Sequence, residues 1–592
     1  MIDVHQLMLQ VGFRYTLSKR LPVASILYRE NSGKGYYTKD YDTPGGVFST
    51  ILIVPNDPHV ELPTVYCYLV PSSYEGRLIP HISHDGYLCY VEQKEADWNP
   101  NDLPSLYNEI DCQIQRTLNN AVLSMNDNDV GDIELQNEFV SYWESQGSLY
   151  LLADCNRKVS FTTVMLEPAN DTSSSYCEFV TTEDTKGINE DLTKWLTQRK
   201  LKLSVNHSCI STHYIRVNPT RLSGINWPPT SLKDLFLWLK QVDSNARSHL
   251  ANSLYRSVKK RNILLLDIVN QDPIAVSLEM NTTRLSNRTV SKRSTKKGKA
   301  GSFLNRVAIL SSKHSCKSFK RFSVTKADKK TLQSRNRAAH GDLSGKKVAL
   351  VGCGTIGGYL AHLLLRNGAG SGIGYFHLYD HDEFKPHNFS RHSLKANDFG
   401  KNKAEALVDT LMDSIYVTKN IRGFGYRFPI NESSLVLYDL VIDATGRAPI
   451  SKRLAYVVRQ MRDNERPMII HAFNDGNGRA AKVFVDDGRS CYGCMNVDSS
   501  VHQGSKDNAN MDLRFVDIDQ AAERFVSCGN TYTTYDAAVS HITAAIAQEA
   551  ALNTLKPCLP WSYSEFMLDE RYRTGKRRIL EKQSRCAICN DE

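Results

Sequence analysis

The sequence has no apolar run as long as a membrane-spanning helix. Its first residues, Met1-Ile-Asp-Val-His, have neither the basic nor the apolar part of a secretory signal. These absences predict a cytoplasmic chain that does not enter a membrane. Cysteine is too sparse, at 14 of 592 residues, for a small disulfide scaffold, so we expect free thiols that bind metal or act as nucleophiles.

One stretch carries all of the chain's net positive charge. Residues 284–337 hold 17 Lys or Arg and a single acid, Asp328, so they carry a net +16, whereas the whole chain carries +9 and the remainder −7. The stretch lacks apolar periodicity, which predicts an exposed basic linker over residues 281–334. The alternative is that this stretch binds nucleic acid or another polyanion. The protein would then be a basic scaffold without catalysis.

Length and pattern predict an α/β multidomain protein. Residues 1–150 combine a helix-like start, two strand-like runs and a helical pattern from Leu103 to Leu123, which is typical of an α+β domain. Residues 151–280 mix strand-like and helical segments without an assignable motif, and form a middle domain. In residues 335–592, a strand, a glycine loop, a helix and a second strand predict a Rossmann-like parallel sheet with helices on both faces.

The glycine loop predicts a nucleotide site. Gly352, Gly354 and Gly357 permit a tight turn and let backbone amides approach phosphate at the positive end of a helix dipole. Asp380 ends the next strand 23 residues after Gly357, where an acid holds ribose hydroxyls. This pattern fits a nicotinamide or flavin dinucleotide as well as ATP, so it leaves a dinucleotide oxidoreductase open.

Polar residues beyond Asp380 favour ATP. Asn388, Arg391 and Lys403 add an amide donor and two fixed positive charges, which a hydride-transfer cofactor does not need. Charge builds up on the α-phosphate when a carboxylate attacks it and pyrophosphate leaves, and these groups would oppose that charge. The sequence therefore predicts adenylation of a carboxylate.

The order of these motifs resembles the adenylation domain of ubiquitin-activating enzymes and of their bacterial sulfur-carrier-activating relatives, the ThiF/MoeB type, over residues 335–592. The motifs are Gly352-x-Gly354-x-x-Gly357, Asp380-x-Asp382, Asn388-x-x-Arg391, Gly400-x-x-Lys403 and Val441-Ile-Asp443-Ala-Thr-Gly446. The resemblance implies ATP and Mg²⁺, with Asp380 at the ribose, Asn388, Arg391 and Lys403 at the phosphates and Asp443 at the metal. It also implies a homodimer, and a role at ATP for Arg335 or Arg337.

Two CxxC pairs, Cys491-x-x-Cys494 and Cys586-x-x-Cys589, offer four thiolates to one ion. Closed structural zinc sites take four such ligands in a tetrahedron, so we expect Zn²⁺ to fasten the C-terminal tail without taking part in chemistry. Buried apolar pairs and a redox CxxC are the alternatives.

An acyl adenylate can be captured by a thiolate as a thioester that keeps much of the activation. Cys528 is the candidate nucleophile, because it precedes a helix-like run from about Tyr535 and a helix N-terminus lowers the pKa of a thiol. The acceptor cysteine of activating enzymes lies in a comparable place. A small buried thiol is the alternative, and Cys353 and Cys558 are weaker candidates.

The segment Ile79-Pro-His81 to Cys89, followed by Trp98-Asn-Pro, is similar to the active-site segment of ubiquitin-conjugating enzymes. The resemblance implies that Cys89 carries a thioester. It departs from the family where the usual asparagine, which supports the oxyanion during amide formation, is replaced by His81. Either His81 or His84 would then donate that hydrogen bond.

Activating and conjugating modules in one chain resemble the fusion proteins of bacterial CBASS antiphage operons. That resemblance implies ATP-dependent adenylation of a partner's C-terminal carboxylate, in a cGAS-like nucleotidyltransferase. A thioester on Cys528, transfer to Cys89 and an amide bond to a target amine follow. A sulfur-carrier protein adenylyltransferase is the alternative, which leaves the conjugating-type segment unexplained.

Overall fold

We analysed a computed structural model of the chain. It describes residues 4–21, 35–83, 85–126, 135, 139–155, 160–169, 177–184, 189–204, 210–218, 227–257, 259–281, 299–334, 341–415, 418, 420–502, 512–515, 524–527, 530–532 and 535–590. The chain forms two compact units, one from residues 1–188 and 201–327 and the other from residues 189–200 and 328–592.

The helices of the described residues are, in chain order, α1 Val4–Gln10, α2 Leu103–Asn126, α3 Glu190–Gln198, α4 Leu232–Val242, α5 Ser244–Arg256, α6 Lys299–Leu310, α7 Lys329–Ser334, α8 Thr355–Arg366, α9 Lys403–Ser414, α10 Glu432–Leu435, α11 Ala448–Gln460, α12 Tyr492–Val497, α13 Ser499–His502 and α14 Ala537–Asn553. Among them, none combines the length and the apolar character that crossing a membrane requires.

The N-terminal part of the first unit is a small antiparallel sheet packed on α2. Its strands lie in the order β1-β2-β3-β4, with β1 Arg14–Leu17, β2 Gly35–Thr43, β3 Gly46–Ile53 and β4 Thr64–Leu69. Alternate apolar residues of β3 and β4 pack against α2, which presents Ile110, Ile114 and Leu118 to this core. The predicted α+β arrangement is therefore present, and the structure adds β1 and β2 to the strands expected.

The rest of the first unit is an eight-stranded mixed sheet covered by α4, α5 and α6. Its order is β8-β6-β7-β5-β12-β11-β10-β9, with β5 Gly147–Leu151, β6 Phe161–Pro168, β7 Glu178–Glu183, β8 Leu201–Leu203, β9 Ile210–Val217, β10 Arg261–Ile268, β11 Ile274–Met280 and β12 Cys316–Lys326. Central strands such as β10 are buried along most of their length, which fits their continuous apolar sequence.

The structure corrects the prediction of a basic linker over residues 281–334. Strand β12 pairs with β11 on one side and with β5 on the other, so it lies in the middle of the sheet. Phe322 is buried and Val324 half-buried in the core of this sheet, and Arg321 is buried as well, which a count of charges does not reveal. Residues 282–298, the most basic part of the predicted linker, lie outside the described residues.

The second unit is built on a seven-stranded sheet in the order β15-β14-β13-β16-β17-β18-β21. These strands are β13 Lys347–Val351, β14 Tyr375–Tyr379, β15 Ile421–Phe424, β16 Leu440–Asp443, β17 Met468–Asp475, β18 Ala480–Asp486 and β21 Tyr563–Met567, and a separate pair is β19 Arg524–Ser527 with β20 Asn530–Tyr532. The first five in this order are parallel. The strand order reverses between β13 and β16, where doubly wound sheets bind ligands outside the carboxyl ends of their strands.

Candidate active site

The glycine loop leaves β13 at the reversal point of the sheet and enters α8. Gly352 has a left-handed backbone, φ +90°, and a Cβ on it would stand 2.9 Å from the backbone nitrogen of Thr445. A Cβ on Gly357 would stand 1.9 Å from the carbonyl oxygen of Gly352. By contrast, no described atom lies within 4 Å of a Cβ placed on Gly354, which precedes α8 without a side-chain cap. The space beside Gly354, at the N-terminus of α8, is thus open, as an anion site requires.

Asp380 fastens the loop to the neighbouring strand. One carboxylate oxygen accepts a hydrogen bond from the Cys353 amide at 2.7 Å, and the other accepts from the Asp382 amide at 2.9 Å. Its side chain remains 9% exposed, just after the carboxyl end of β14. The carboxylate is therefore held in a fixed orientation at the place predicted for the ribose.

His392, which sequence reasoning missed, supports the same loop from beneath. Its Nδ1 accepts from the Leu394 amide at 3.2 Å, so its Nε2 carries the proton and donates to the Cys353 carbonyl at 2.7 Å. Burial lowers the pKa of His392, which keeps the ring in this neutral form, although the bond to Cys353 opposes the shift. No motif marks His392; its position one residue after Arg391 is the only signal in the sequence.

Lys403 and Asp382 pair at the mouth of the site. The Lys403 ammonium lies 3.2 Å from a carboxylate oxygen of Asp382, and its side chain is largely buried whereas that of Asp382 is half exposed. The charge of Lys403 also acts on the glycine loop. Burial and Asp380 raise the pKa of the Cys353 thiol, and Lys403 opposes that rise. That pKa is well above its ordinary value, so Cys353 is an inert core residue.

Arg391 and Asn388 lie on the short 3₁₀ helix Pro386–Arg391 that follows β14. The guanidinium of Arg391 stacks on the ring of Tyr535, 4.4 Å from its centroid, and the Tyr535 hydroxyl is 3.3 Å from that of Thr355 at the start of α8. The Asn388 side chain accepts from the Lys385 amide at 3.1 Å, which caps this helix. Tyr535 is a further residue that sequence reasoning missed.

Asp443 ends β16, in register with Val351 of β13, and is fully buried. Its carboxylate accepts from the amide and hydroxyl of Thr445, from the Ser451 hydroxyl and from His471 Nδ1 at 3.0 Å. Burial alone would raise the pKa of Asp443, but these hydrogen bonds, led by that from His471, hold it below its ordinary value. All four lone pairs are engaged, so a direct bond to Mg²⁺ requires one donor to withdraw.

His471 was also missed, because only the strand pairing of the folded chain brings it to Asp443. It stands opposite Asp443 in the parallel pairing of β16 with β17. Its Nε2 is buried and has no hydrogen-bond partner among the described residues. With Asp443, Asn474 and Tyr492 it borders a cavity of about 220 Å³ beside the carboxyl end of β16.

The four predicted zinc ligands converge. The Sγ atoms of Cys491 and Cys494 are 3.8 Å apart, Cys491 lies 3.5 Å from Cys586, and Cys589 lies 3.2 Å from Cys491 and 3.5 Å from Cys494. Four sulfurs at about 2.3 Å from one Zn²⁺ stand close to 3.8 Å apart in a tetrahedron, so the set fits such an ion. The distances are too long for disulfides.

The conjugating-type segment lies in the first unit. Cys89 is half-buried, and its amide donates to the His81 carbonyl at 2.9 Å. His81 has a left-handed backbone, φ +64°, which costs a residue other than glycine about 1 kcal/mol. Nearby, Trp98 Nε1 donates to the His59 carbonyl at 3.0 Å. His84 lies outside the described residues.

Three other predicted residues, Cys528, Arg335 and Arg337, also lie outside the described residues. Residues 512–515, which precede Cys528 in the chain, are described and are anchored by ion pairs. Arg514 forms buried ion pairs with Asp512 and Glu565, and Asp512 pairs with the fully buried Lys482 at 2.6 Å.

Comparisons with known proteins match both halves of the chain. The family described as Prokaryotic E2 family B matches residues 10–152, and the ThiF family matches residues 330–587. The chain is 49% identical to the ATP-dependent ubiquitin transferase-like protein Cap2 of Vibrio cholerae over 592 residues, which is 100% of each chain. The chain therefore belongs to the Cap2 family of ATP-dependent ubiquitin transferase-like proteins.

The Cap2 protein of Escherichia coli is 45% identical over 593 residues, 99% of each chain. A crystal structure of E. coli MccB with ATP is 18% identical, covers 42% of this chain and 68% of that chain, and has a TM-score of 0.31.

Membership of the Cap2 family confirms the resemblance to CBASS fusions and the pairing of an E2-like N-terminal domain with a Rossmann-like ThiF domain. The chain is an ATP-dependent activating and conjugating enzyme that adenylates a protein or peptide substrate. An oxidoreductase and a scaffold without catalysis are set aside.

Proposed function

We propose that this Cap2-family chain passes an acyl group through two of its own thiols. The substrate is a protein with a free C-terminal carboxylate, a cGAS-like nucleotidyltransferase, and the product is an amide with a target amine such as a lysine. Cys528 and Cys89 are the two thiols. The observation that carries the proposal is that one chain joins an anion-binding loop at the reversal point of a parallel sheet to a Cys89 segment of conjugating type.

In the first step a carboxylate oxygen of the substrate attacks the α-phosphorus of ATP. An acyl–AMP bond forms, and the bond to pyrophosphate breaks. The amides at the start of α8 receive phosphate oxygens, Asp380 receives the ribose, and Lys403 and Arg391 oppose the charge that grows on the leaving pyrophosphate. When a phosphate binds, the Lys403 ammonium leaves the Asp382 carboxylate and pairs with the phosphate.

Two thioesters follow. The Cys528 thiolate attacks the acyl carbonyl, the bond to AMP breaks and AMP leaves. The Cys89 thiolate then attacks that thioester, and the Cys528 thiolate leaves. Finally an amine attacks the Cys89 thioester, a C–N bond forms, the C–S bond breaks, and the amine proton passes to solvent while His81 supports the oxyanion.

Two metals accompany this scheme. Mg²⁺ supplies charge neutralisation at the ATP phosphates when it is bound. The half-exposed carboxylate of Asp382 would offer it a ligand once Lys403 has moved to a phosphate, whereas Asp443 would first have to lose one of its four donors. Cys491, Cys494, Cys586 and Cys589 would hold Zn²⁺ with four thiolates, and such an ion would serve structure alone.

Thiol-sensitive adducts test the relay. The full chain is incubated with ATP, Mg²⁺ and a labelled cGAS-like nucleotidyltransferase, and adducts are resolved with and without reductant. Cys528→Ala abolishes every adduct, whereas Cys89→Ala leaves one on Cys528. Cys558→Ala is the matched control, since Cys558 is an exposed thiol of the same unit, and it leaves both.

An adduct on Cys89 that survives the loss of Cys528 refutes the order of the relay. Partner-dependent ATP–pyrophosphate exchange without any Cys89 adduct, in the wild-type chain, points to a sulfur-carrier type of adenylyltransferase instead.

A further inference from the structure

His81 is held in its left-handed conformation from both sides. Its carbonyl accepts the Cys89 amide at 2.9 Å, and its own amide donates to the hydroxyl of Tyr142 at 2.8 Å. The first contact lies within the conjugating-type segment. The second comes from 61 residues further along the chain.

Tyr142 itself belongs to the core of the eight-stranded sheet. It lies on a short 3₁₀ turn, Ser141–Trp143, and is 3% exposed among residues that include Trp227. The next side chain, Trp143, donates its indole hydrogen to the Phe322 carbonyl of β12 at 3.0 Å. The hydroxyl that reaches His81 is thus mounted on a rigid support outside the small antiparallel sheet.

The segment before Cys89 is shared between two cores. Leu78 packs in the same cluster as Tyr142, whereas Ile79 and Ile82 pack with α2 and the small sheet. His81 stands between these anchors. Without the Tyr142 hydroxyl, its part-buried amide would lose that hydrogen bond, and its backbone would be less firmly held in the left-handed region.

We propose that Tyr142 is a positioning residue for amide formation, because its hydroxyl holds His81 in the conformation that directs it towards the acyl group on Cys89. The inference rests on the proposed function, in which the Cys89 thioester is the species that the amine attacks. In this role Tyr142 acts through His81. Its loss slows only the step in which the C–N bond forms and the C–S bond to Cys89 breaks.

Tyr142→Phe in the full chain tests this, since it removes the hydroxyl and keeps the ring. Cys89 is loaded with the labelled nucleotidyltransferase, ATP is removed with apyrase, and discharge to free lysine is followed. Loading matches the wild type, while discharge slows about tenfold, less than the loss of a whole oxyanion donor. The limiting rate falls and the half-saturating lysine concentration does not change. Tyr107→Phe is the control, because its buried hydroxyl has no hydrogen-bond partner among the described residues.

A second pair of variants separates positioning from folding. Asparagine tolerates the left-handed region, so in a His81→Asn background Tyr142→Phe slows discharge less than about threefold. An equal penalty in both backgrounds overturns the inference, as does wild-type discharge by Tyr142→Phe, or loss of loading and discharge together. A wild-type chain that never forms a Cys89 thioester overturns the relay as well, and so is distinguishable from failure of the inference alone.

Discussion

Asp443 and His392 are two of the buried polar residues around which the nucleotide site is built. Each is fully paired, Asp443 with Thr445, Ser451 and His471, and His392 with the Cys353 carbonyl and the Leu394 amide. Leaving either group without its hydrogen-bond partners costs free energy. A substitution at either residue should therefore lower stability as well as weaken ATP binding.

We expect Asp443→Asn to lower the free energy of unfolding of the second unit by about 3 kcal/mol. The asparagine amide replaces one acceptor oxygen with an NH₂ group, which faces donors that need an acceptor. Asp382→Asn, at a half-exposed carboxylate of the same site, changes it by less than about 0.5 kcal/mol. Urea unfolding measures both. The pKa of Asp443 is below 3.8, so its contribution is complete above that pH and is lost as the pH falls through the lower folded pKa. Equal stability of both variants would contradict this assignment.

We expect His392→Phe to raise the KM for ATP about tenfold in ATP–pyrophosphate exchange, because the Cys353 carbonyl loses its donor and the loop moves. His387→Phe, at an exposed histidine on the same 3₁₀ helix, leaves KM unchanged. Since the pKa of His392 is lowered from 6.5, the neutral ring stabilises the fold fully above that pH, and the effect is lost as the pH falls through the folded pKa. An unchanged KM in His392→Phe would remove His392 from the site.

At the scale of elements, local patterns were predictable and distant pairings were not. The β13–loop–α8 unit could be predicted from a short apolar run and three glycines, which are adjacent in the sequence. The helix expected from about Tyr535 appears as α14. The middle sheet escaped prediction because β5 pairs with β12, some 170 residues away, and no local signal records that partner. Asp443 and His471 likewise meet only through the register of β16 and β17.

The C-terminal tail provides a test at the same scale. Cys586→Ala should lose one bound Zn²⁺ per chain and lower the unfolding midpoint of the second unit by about 10 °C, since the metal joins residues 586–589 to α12. Cys558→Ala should keep both, because its exposed thiol is not in the cluster. Metal content by emission spectroscopy and thermal unfolding by calorimetry decide it. Zinc retained by Cys586→Ala would contradict a four-cysteine site.

For the whole molecule, the placement of both thiols in one chain favours transfer within that chain. Tethered groups meet at an effective concentration of millimolar order. A mixture of the Cys89→Ala and Cys528→Ala chains, each at about 0.1 µM, should therefore form less than about one tenth of the wild-type amide product, and more as concentration rises.

Full recovery in that mixture at low concentration would instead show transfer between chains, within the predicted homodimer. Sedimentation of the wild-type chain under the same conditions establishes whether that dimer is present.

The central position of β12 also affects when the sheet can form during synthesis. Among the described strands, β12 is the one whose backbone pairs with both halves of the sheet, β8-β6-β7-β5 and β11-β10-β9. Residues 316–326 leave the ribosome after every other strand of that sheet, so until then β5 and β11 present unpaired edges to their surroundings. The ribosome must therefore synthesise almost all of the residues before the second unit's ThiF domain. Only then can the eight-stranded sheet of the first unit be complete. We therefore expect the nascent chain, rather than the finished enzyme, to be the form most in need of chaperones.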